Sequence, residues 1–286
     1  MRKKVLLSTL LFFFVLSLFS TKAFLSWKQT KNLNALKIKA PEVKITIIEG
    51  WSINDIADSL ENKGYIKRPL FKSALGTIDI SKYPLLQSLP KNSSLEGYLF
   101  PDTYSVYEPK KEAPETFAKE LAQKALTNFE NKFTSEMEKQ AKALKLSVHN
   151  VVTLASIIEK ETGRNSISDE QKQKLDEERK IISGIFHNRL TTGMALESDA
   201  TINYVTGKNN PTPTLNELAA NSPYNTYKNK GLPPGPICNP SLSSLMAALY
   251  PNKTDYFYFL HKQPSGEAVY SKTYEEHLSN KYKYLK

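Results

Sequence analysis

The sequence predicts a mixed α+β fold, and three observations carry that expectation. "EAPETFAKELAQKALTNFENKF" and two later stretches repeat apolar residues at helical spacing. "VKITI" alternates apolar and polar side chains as a half-buried strand does. Toward the end, "LPPGPICNPS" holds four prolines, and aromatic runs such as "DYFYFL" lie between turn residues like short strands. The chain has 286 residues, 40% hydrophobic and 24% charged, enough for one large domain or two smaller ones.

The first segment stands apart. "MRKK" precedes an apolar stretch interrupted only by Lys22 and ending at Trp27. A membrane span needs ~20 such residues, and no small-x-small cleavage site follows. Residues 1–27 are therefore expected to be a cytoplasmic tip and an uncleaved single-pass anchor. Arg2, Lys3 and Lys4 should stay in the cytoplasm, with the rest of the chain facing outward at the cell membrane. Residues 28–45, polar with several lysines and a proline, read as a stalk.

The whole chain carries 39 basic and 29 acidic side chains. Setting aside Arg2, Lys3, Lys4 and Lys22 leaves 35 against 29, a balance of +6. The excess is spread out, with no basic run of the kind that binds nucleic acid. An anionic membrane surface or cell-wall polymer fits it better. Cys238 is the single cysteine, so no intrachain disulfide forms. There is no CxxC or HExxH, and His149, His187, His261 and His277 show no metal spacing; no metal or other cofactor is expected.

Taken in order, Val43, Ile45 and Ile47 alternate like a strand. Ser52 then caps a helix with Ile53, Ile56, Ala57 and Leu60 at helical spacing, and Gly64 ends it. From Tyr65 to Pro90 the helical signal weakens and turn residues accumulate. Phe117, Leu121, Ala125 and Phe129 then share one helix face, the usual mark of core packing. A helix over about Val148–Thr162 follows, and another from about Asp169 to Leu190 that "SISDEQ" begins with capping and acidic first-turn residues.

The helix ending in "ASIIEKETG" raises a chemical question. At ~100° per residue, Val151, Val152, Leu154, Ala155, Ile157 and Ile158 form one broad face, with Glu159 and Glu161 about 80° to either side of its centre. Both carboxylates border the buried face, so periodicity does not choose between them. Gly163 reads as the C-cap. A carboxyl at a helix C-terminus meets the negative end of the macrodipole, and partial burial also favours its neutral form. Such a group stays protonated near neutral pH and serves as a general acid. The plain alternative is a pair of ordinary helix-end glutamates.

Other segments add to this. "LEGYLFPDTY", "ASIIEKET", "IFHNRLTTGMALESDATINY", "SPYNTY", "GLPPGPICNPSLSSLMAAL" and the closing "YFYFL...YSKTYEEH" occur in that order. Together they resemble the YceG-like (MltG) family of endolytic murein transglycosylases, over about Val43 to the C-terminus. The resemblance implies an N-terminal membrane anchor, a reduced LysM-like subdomain over 46–90, and a YceG-like catalytic domain over 91–286 with a lysozyme-like helical part. It implies cleavage of peptidoglycan glycan strands between N-acetylmuramic acid and N-acetylglucosamine, leaving a 1,6-anhydro end and terminating nascent strands. A peptidoglycan synthase is the implied protein partner.

That chemistry explains how one carboxylate suffices. A hydrolase needs a second carboxylate to activate water or attack the sugar. Here the sugar's own 6-hydroxyl attacks, an intramolecular step with a large effective molarity. The resemblance assigns the acid to Glu161, the second glutamate of "EKE", followed by Thr162 where lytic transglycosylases have serine; Glu159 is the runner-up. Tyr98, Phe100, Tyr104, Tyr224 and Tyr227 are candidates to stack on sugar faces. Asp102, Asn188, Asp199 and Asn225 are candidates to bond N-acetyl and hydroxyl groups, and "GLPPGP" to form a rigid groove wall.

The chain departs from the family's pattern in three places. It has room for one N-terminal unit where two are usual, Ala200 stands where proline is common, and Ala268 where a histidine is common. Three rival functions bound the reading. A scaffold that only binds peptidoglycan would not need Glu161. A hydrolytic muramidase would need a second carboxylate from Glu96, Asp102, Glu197 or Asp199. A serine hydrolase is disfavoured, because there is no GxSxG and the one S-x-x-K, Ser88 to Lys91, contains Pro90.

Overall fold

A computed structural model describes residues 41–90, 93–163, 168–208, 210 and 212–285. The expected anchor, and the stalk before residue 41, lie outside the described residues. Among the described residues no single helix is long and apolar enough to cross a membrane. The chain divides into Met1–Pro41 and Glu42–Lys286, and the second unit holds every described helix and strand.

This unit is mixed α+β, with two small antiparallel sheets set among helices. Strand β1 (Glu42–Ile47) buries Ile45 and Ile47 and exposes Lys44 and Thr46, the alternation the sequence predicts. Its partner is β2 (Asp102–Tyr107), with Ile45 opposite Tyr104 and Val43 opposite Val106. Between them run α1 (Ile53–Asn62), α2 (Arg68–Leu75) and two 3-10 turns, Ile80–Lys82 and Pro84–Leu86.

Ser52 caps α1 in a capping box. Its side chain accepts from Asp55 N, while Asp55 Oδ2 accepts from Ser52 N at 2.8 Å. Gly64, with φ +74°, lets the chain leave the helix. Helix α2 lies where the periodic signal weakens. It buries only Phe71, Ala74 and Leu75, too few positions to set a period, although Pro69 in its first turn is a start signal.

Helix α3 (Pro114–Lys132) packs on α2 and β2 through Phe117, Leu121, Ala125 and Phe129, joined by Ala118, Ala122 and Leu126. After it come α4 (Ser135–Ala143), α5 (Val148–Thr162), α6 (Asp169–Thr192), α7 (Asp199–Thr206), the single turn α8 (Leu215–Leu218) and α9 (Leu242–Leu249). Helix α5 packs against α6 and α9, and Val151, Val152, Leu154, Ile157 and Ile158 have no exposed surface. Each such side chain contributes about 1.5–3 kcal/mol of burial. Ser168 and Gln171 form the capping box that begins α6, as "SISDEQ" predicts.

The proline-rich segment runs along α5. His149 Nε2 meets Pro234 O at 2.8 Å, Ile237 N donates to Ser156 Oγ at 3.0 Å, and Ser241 N donates to Glu159 Oε2 at 3.0 Å. Ile237 and Cys238 are buried. The segment thus backs the helix. Strands β3 (Tyr258–His261) and β4 (Ala268–Ser271) form a hairpin, and α10 (Tyr274–Tyr284) packs on both.

Candidate active site

The two glutamates of α5 have different surroundings. Glu159 is 3% exposed and faces the N-terminus of α9. Its Oε2 accepts from Ser241 N at 3.0 Å, Ser241 Oγ at 2.5 Å and Ser244 Oγ at 2.7 Å. Its Oε1 pairs with Arg179 Nη2 of α6 at 3.4 Å. The carboxylate therefore joins three helices and is enclosed by its donors, leaving no lone pair facing solvent for chemistry.

Glu161 lies on the other flank and keeps part of its surface open. Its Oε1 accepts a 2.5 Å hydrogen bond from Ser198 Oγ, the N-cap residue of α7. Burial raises its pKa above the usual carboxylate value. The Ser198 bond opposes that shift, the Asp199 charge adds to it, and His261 and Arg189 oppose it. The end of α5 adds the negative pole of its own dipole. Gly163 closes α5 as its C-cap, with φ −57°, as the sequence predicts.

The loop into α7 is held by its neighbours. Ser198 N donates to Thr226 Oγ1 at 3.0 Å, and Thr201 Oγ1 lies 2.9 Å from the same hydroxyl. Arg189 of α6 donates to Leu196 O at 2.8 Å and to Glu197 Oε2 at 3.3 Å, while its Nε reaches Phe257 O at 2.7 Å. Glu197 adopts φ +50°, a left-handed conformation uncommon for glutamate, which turns the chain so that Ser198 meets Glu161. Tyr227 donates to Asp199 Oδ1 at 2.5 Å, and burial raises the proton affinity of both.

Of the sequence-predicted residues, Glu161, Asp199 and Tyr227 thus come together. Tyr224 is half-buried and packs on Tyr204, ring centres 5.1 Å apart. The others require correction. Tyr98, Phe100 and Tyr104 are buried in the core and offer no ring face to a sugar. Tyr98 Oη meets His149 Nδ1 at 2.9 Å, and Tyr104 donates to Phe100 O. Asp102 is exposed on β2, where it accepts from Asn128 of α3 at 3.0 Å. Beside it, Thr103, Lys124 and Asn128 line a shallow groove of about 520 Å³.

Asn188 and Asn225 are structural pins. Asn188 donates to Thr254 O and Tyr256 O, at 2.8 and 3.0 Å. Asn225 is fully buried, donating to Leu218 O and Ala220 O and accepting from Tyr227 N. The Asn188 amide nitrogen and both ends of the Asn225 amide bond loop backbone, which holds the segments carrying Tyr227 and β3. Glu96 is buried too, with both oxygens on Ile53 N, so it faces the start of α1 and no groove.

Residue-by-residue reading missed Ser198 and Arg189, although the quoted stretch "NRLTTGMALESDAT" contains both. Their spacing follows no period, because a loop joins them to the site. His261 was missed as well. It pairs across the hairpin with Ala268, the position where the resemblance leads one to expect histidine.

Comparison with known proteins identifies similar chains. The sequence model described as the YceG-like family matches residues 25–283. A protein of Bacillus subtilis named endolytic murein transglycosylase is 41% identical over 255 residues, covering 85% of this chain and 65% of its own length. One of the same name from Streptococcus pneumoniae strain D39 is 34% identical over 257 residues, covering 82% of this chain and 43% of its own. This chain thus spans less than two thirds of either relative. A crystal structure of a YceG-like protein from Listeria monocytogenes superposes with a TM-score of 0.69 at 34% identity, covering 88% of this chain and 80% of that one.

Proposed function

This chain belongs to the YceG-like family, and from that premise we propose that it is an endolytic murein transglycosylase with Glu161 as its acid and base. The reaction is cleavage within a glycan strand. Glu161 gives its proton to the glycosidic oxygen as the bond to the muramic C1 breaks. The 6-hydroxyl of the same sugar bonds to C1 and returns a proton to Glu161. No water is consumed, and the enzyme ends in its starting state.

One observation carries the assignment. Glu161 is a part-open carboxyl whose proton burial retains, set against the hydroxyl of Ser198, whereas Glu159 is enclosed by donors. The Ser198 bond favours the anion that forms when the proton leaves, so both halves of the cycle are served. Asp199 and Tyr227 flank the acid and are the proposed contacts to the sugar, with Tyr224 beyond them. Asp102 is left with a surface role.

The remaining proposals concern placement. Residues 1–27 anchor the chain in the cell membrane with the N-terminus cytoplasmic, supported by "MRKK" and the apolar run after it. The catalytic part lies outside, where murein is. Residues 46–90 act as a reduced LysM-like unit, and a murein synthase is the neighbour whose product would be cut.

The test is to incubate the full chain in detergent, as wild type and as Glu161→Gln, with purified peptidoglycan and to weigh the soluble products. Anhydro-ended fragments from wild type, falling about 10²–10⁴-fold in the variant, are expected. Equal activity in the variant would move the acid elsewhere. Products heavier by one water would mark a muramidase, and no products from either protein a scaffold.

A further inference from the structure

The hydroxyl that meets Glu161 is aimed by a turn with an uncommon backbone. Glu197, with φ +50°, sits in the left-handed region, and the next residue is Ser198, whose Oγ donates to Glu161 Oε1 at 2.5 Å. A residue with a Cβ stays in that region only where its surroundings over-determine the backbone, and such places cluster at working sites. Whatever holds this turn therefore helps to place the hydroxyl.

Two sets of bonds hold it. From one side, Glu197 N donates to Thr226 O at 3.2 Å and Ser198 N to Thr226 Oγ1 at 3.0 Å, while Thr201 Oγ1 donates to Ser198 O at 2.8 Å. From the other side comes Arg189, buried near the end of α6. Its Nη1 donates to Ala195 O at 3.2 Å, to Leu196 O at 2.8 Å and to Glu197 Oε2 at 3.3 Å. Its Nε donates to Phe257 O at 2.7 Å, and its guanidinium carbon lies 5.1 Å from the centre of the Tyr258 ring. Its own carbonyl accepts from Met194 N at 2.8 Å. One planar side chain thus ties the three residues before Ser198 to the segment that enters β3. Lysine keeps the charge but lacks the rigid fork that reaches several acceptors at once.

We propose that Arg189 is a positioning residue for the reaction: it clamps the left-handed turn at Glu197 and so delivers the Ser198 hydroxyl to Glu161. Arg189 bonds the turn and not the acid, so its effect on the acid runs through Ser198. Without the clamp, Glu197 relaxes toward a common backbone conformation and the hydroxyl leaves the carboxyl. The anion formed on proton donation then loses its hydrogen bond. The inference rests on Glu161 being the acid.

The test uses the full chain in detergent, as wild type, Arg189→Lys, Glu197→Val and Glu197→Asn, each with and without Ser198→Ala. Valine resists the left-handed region and asparagine tolerates it, so the two act on the turn while leaving Arg189 in place. Arg189→Lys and Glu197→Val should slow anhydro-product formation about three- to tenfold, the loss of one hydrogen bond. In the Ser198→Ala background the same changes should cost less than about twofold, because coupled residues do not add. Glu197→Asn should stay within about twofold of wild type. A general loosening of the fold would instead slow the enzyme equally in both backgrounds. In parallel, the ¹³C carboxyl resonance of Glu161, identified by its loss in Glu161→Gln, is recorded at one pH without substrate. It should move in Arg189→Lys and Glu197→Val as it does in Ser198→Ala, and stay in place in Glu197→Asn. Rate losses that persist in full without the serine, or a resonance that stays put in Arg189→Lys and Glu197→Val, would overturn the proposal. Should Arg189→Lys fail to fold, the contrast between valine and asparagine at 197 decides. If wild type forms no anhydro product the assigned reaction fails, and the resonance alone then decides for or against the clamp.

Discussion

Glu159 and Glu161 are two residues apart on one helix, yet each meets the end of a helix in the opposite sense. Glu159 faces the N-terminus of α9, where one backbone N–H, two serine hydroxyls and Arg179 converge on it. Glu161 stands at the C-terminus of its own helix, with Ser198 as its hydrogen-bond donor. The first environment encloses a carboxylate in donors, and the second leaves Glu161 part-open with its proton affinity raised by burial. The contrast teaches that burial alone does not mark an acid; the number and sign of the partners decide.

The strongest way to break this comparison is Glu159→Gln. The amide leaves Arg179 with the more exposed Asp176 as its anion and breaks its buried pair, and removing one partner of a buried ion pair costs up to about 3–5 kcal/mol. The urea midpoint of the full chain should fall accordingly, while the rate per folded molecule stays within a few-fold of wild type. An unchanged midpoint would show that Glu159 holds little.

Glu96 sharpens the same contrast. It also sits at a helix N-terminus, with its two oxygens 3.0 and 3.1 Å from Ile53 N, but it has no ion pair among the described residues. Burial pushes its pKa from 4.5 up to about 8. Because the folded value is the higher one, the folded state holds the proton more tightly. The resulting stability is fully present below 4.5 and is lost as pH rises toward about 8, at most on the order of 5 kcal/mol. Thermal midpoints should therefore decline across that window, and Glu96→Gln should flatten the decline. A slope that persists in the variant would assign it to another group.

Ser198→Ala should have the smallest effect. It removes the bond that lowers the proton affinity of Glu161, so the basic limb of the rate profile moves to higher pH. The maximal rate should drop about three- to tenfold, the loss of roughly 1 kcal/mol of hydrogen bonding. Stability should change little. A limb moving to lower pH would contradict the role given to this hydroxyl.

Much of the fold was legible because its signals are local. Ser52 and Ser168 begin helices where their capping pattern says, and the face of α3 is the one its spacing describes. Helix α2 was not legible, since three buried residues do not make a period. Tyr98 and Tyr104 look like sugar platforms in sequence, but both are buried, with Phe129 and Asn128 of α3 packed on them. An aromatic in a loop-like motif reads the same whether its face is covered or open.

The sequence by itself determined that two carboxylates border the buried face of α5, that the helix ends there, and which family's motifs surround it. Tertiary structure decided what surrounds each of them. Ser241 and Ser244 approach Glu159 from 82 and 85 residues away, and Ser198 approaches Glu161 from 37. Desolvation and hydrogen bonding set proton affinity, and both depend on neighbours in space that no periodicity along a single helix records.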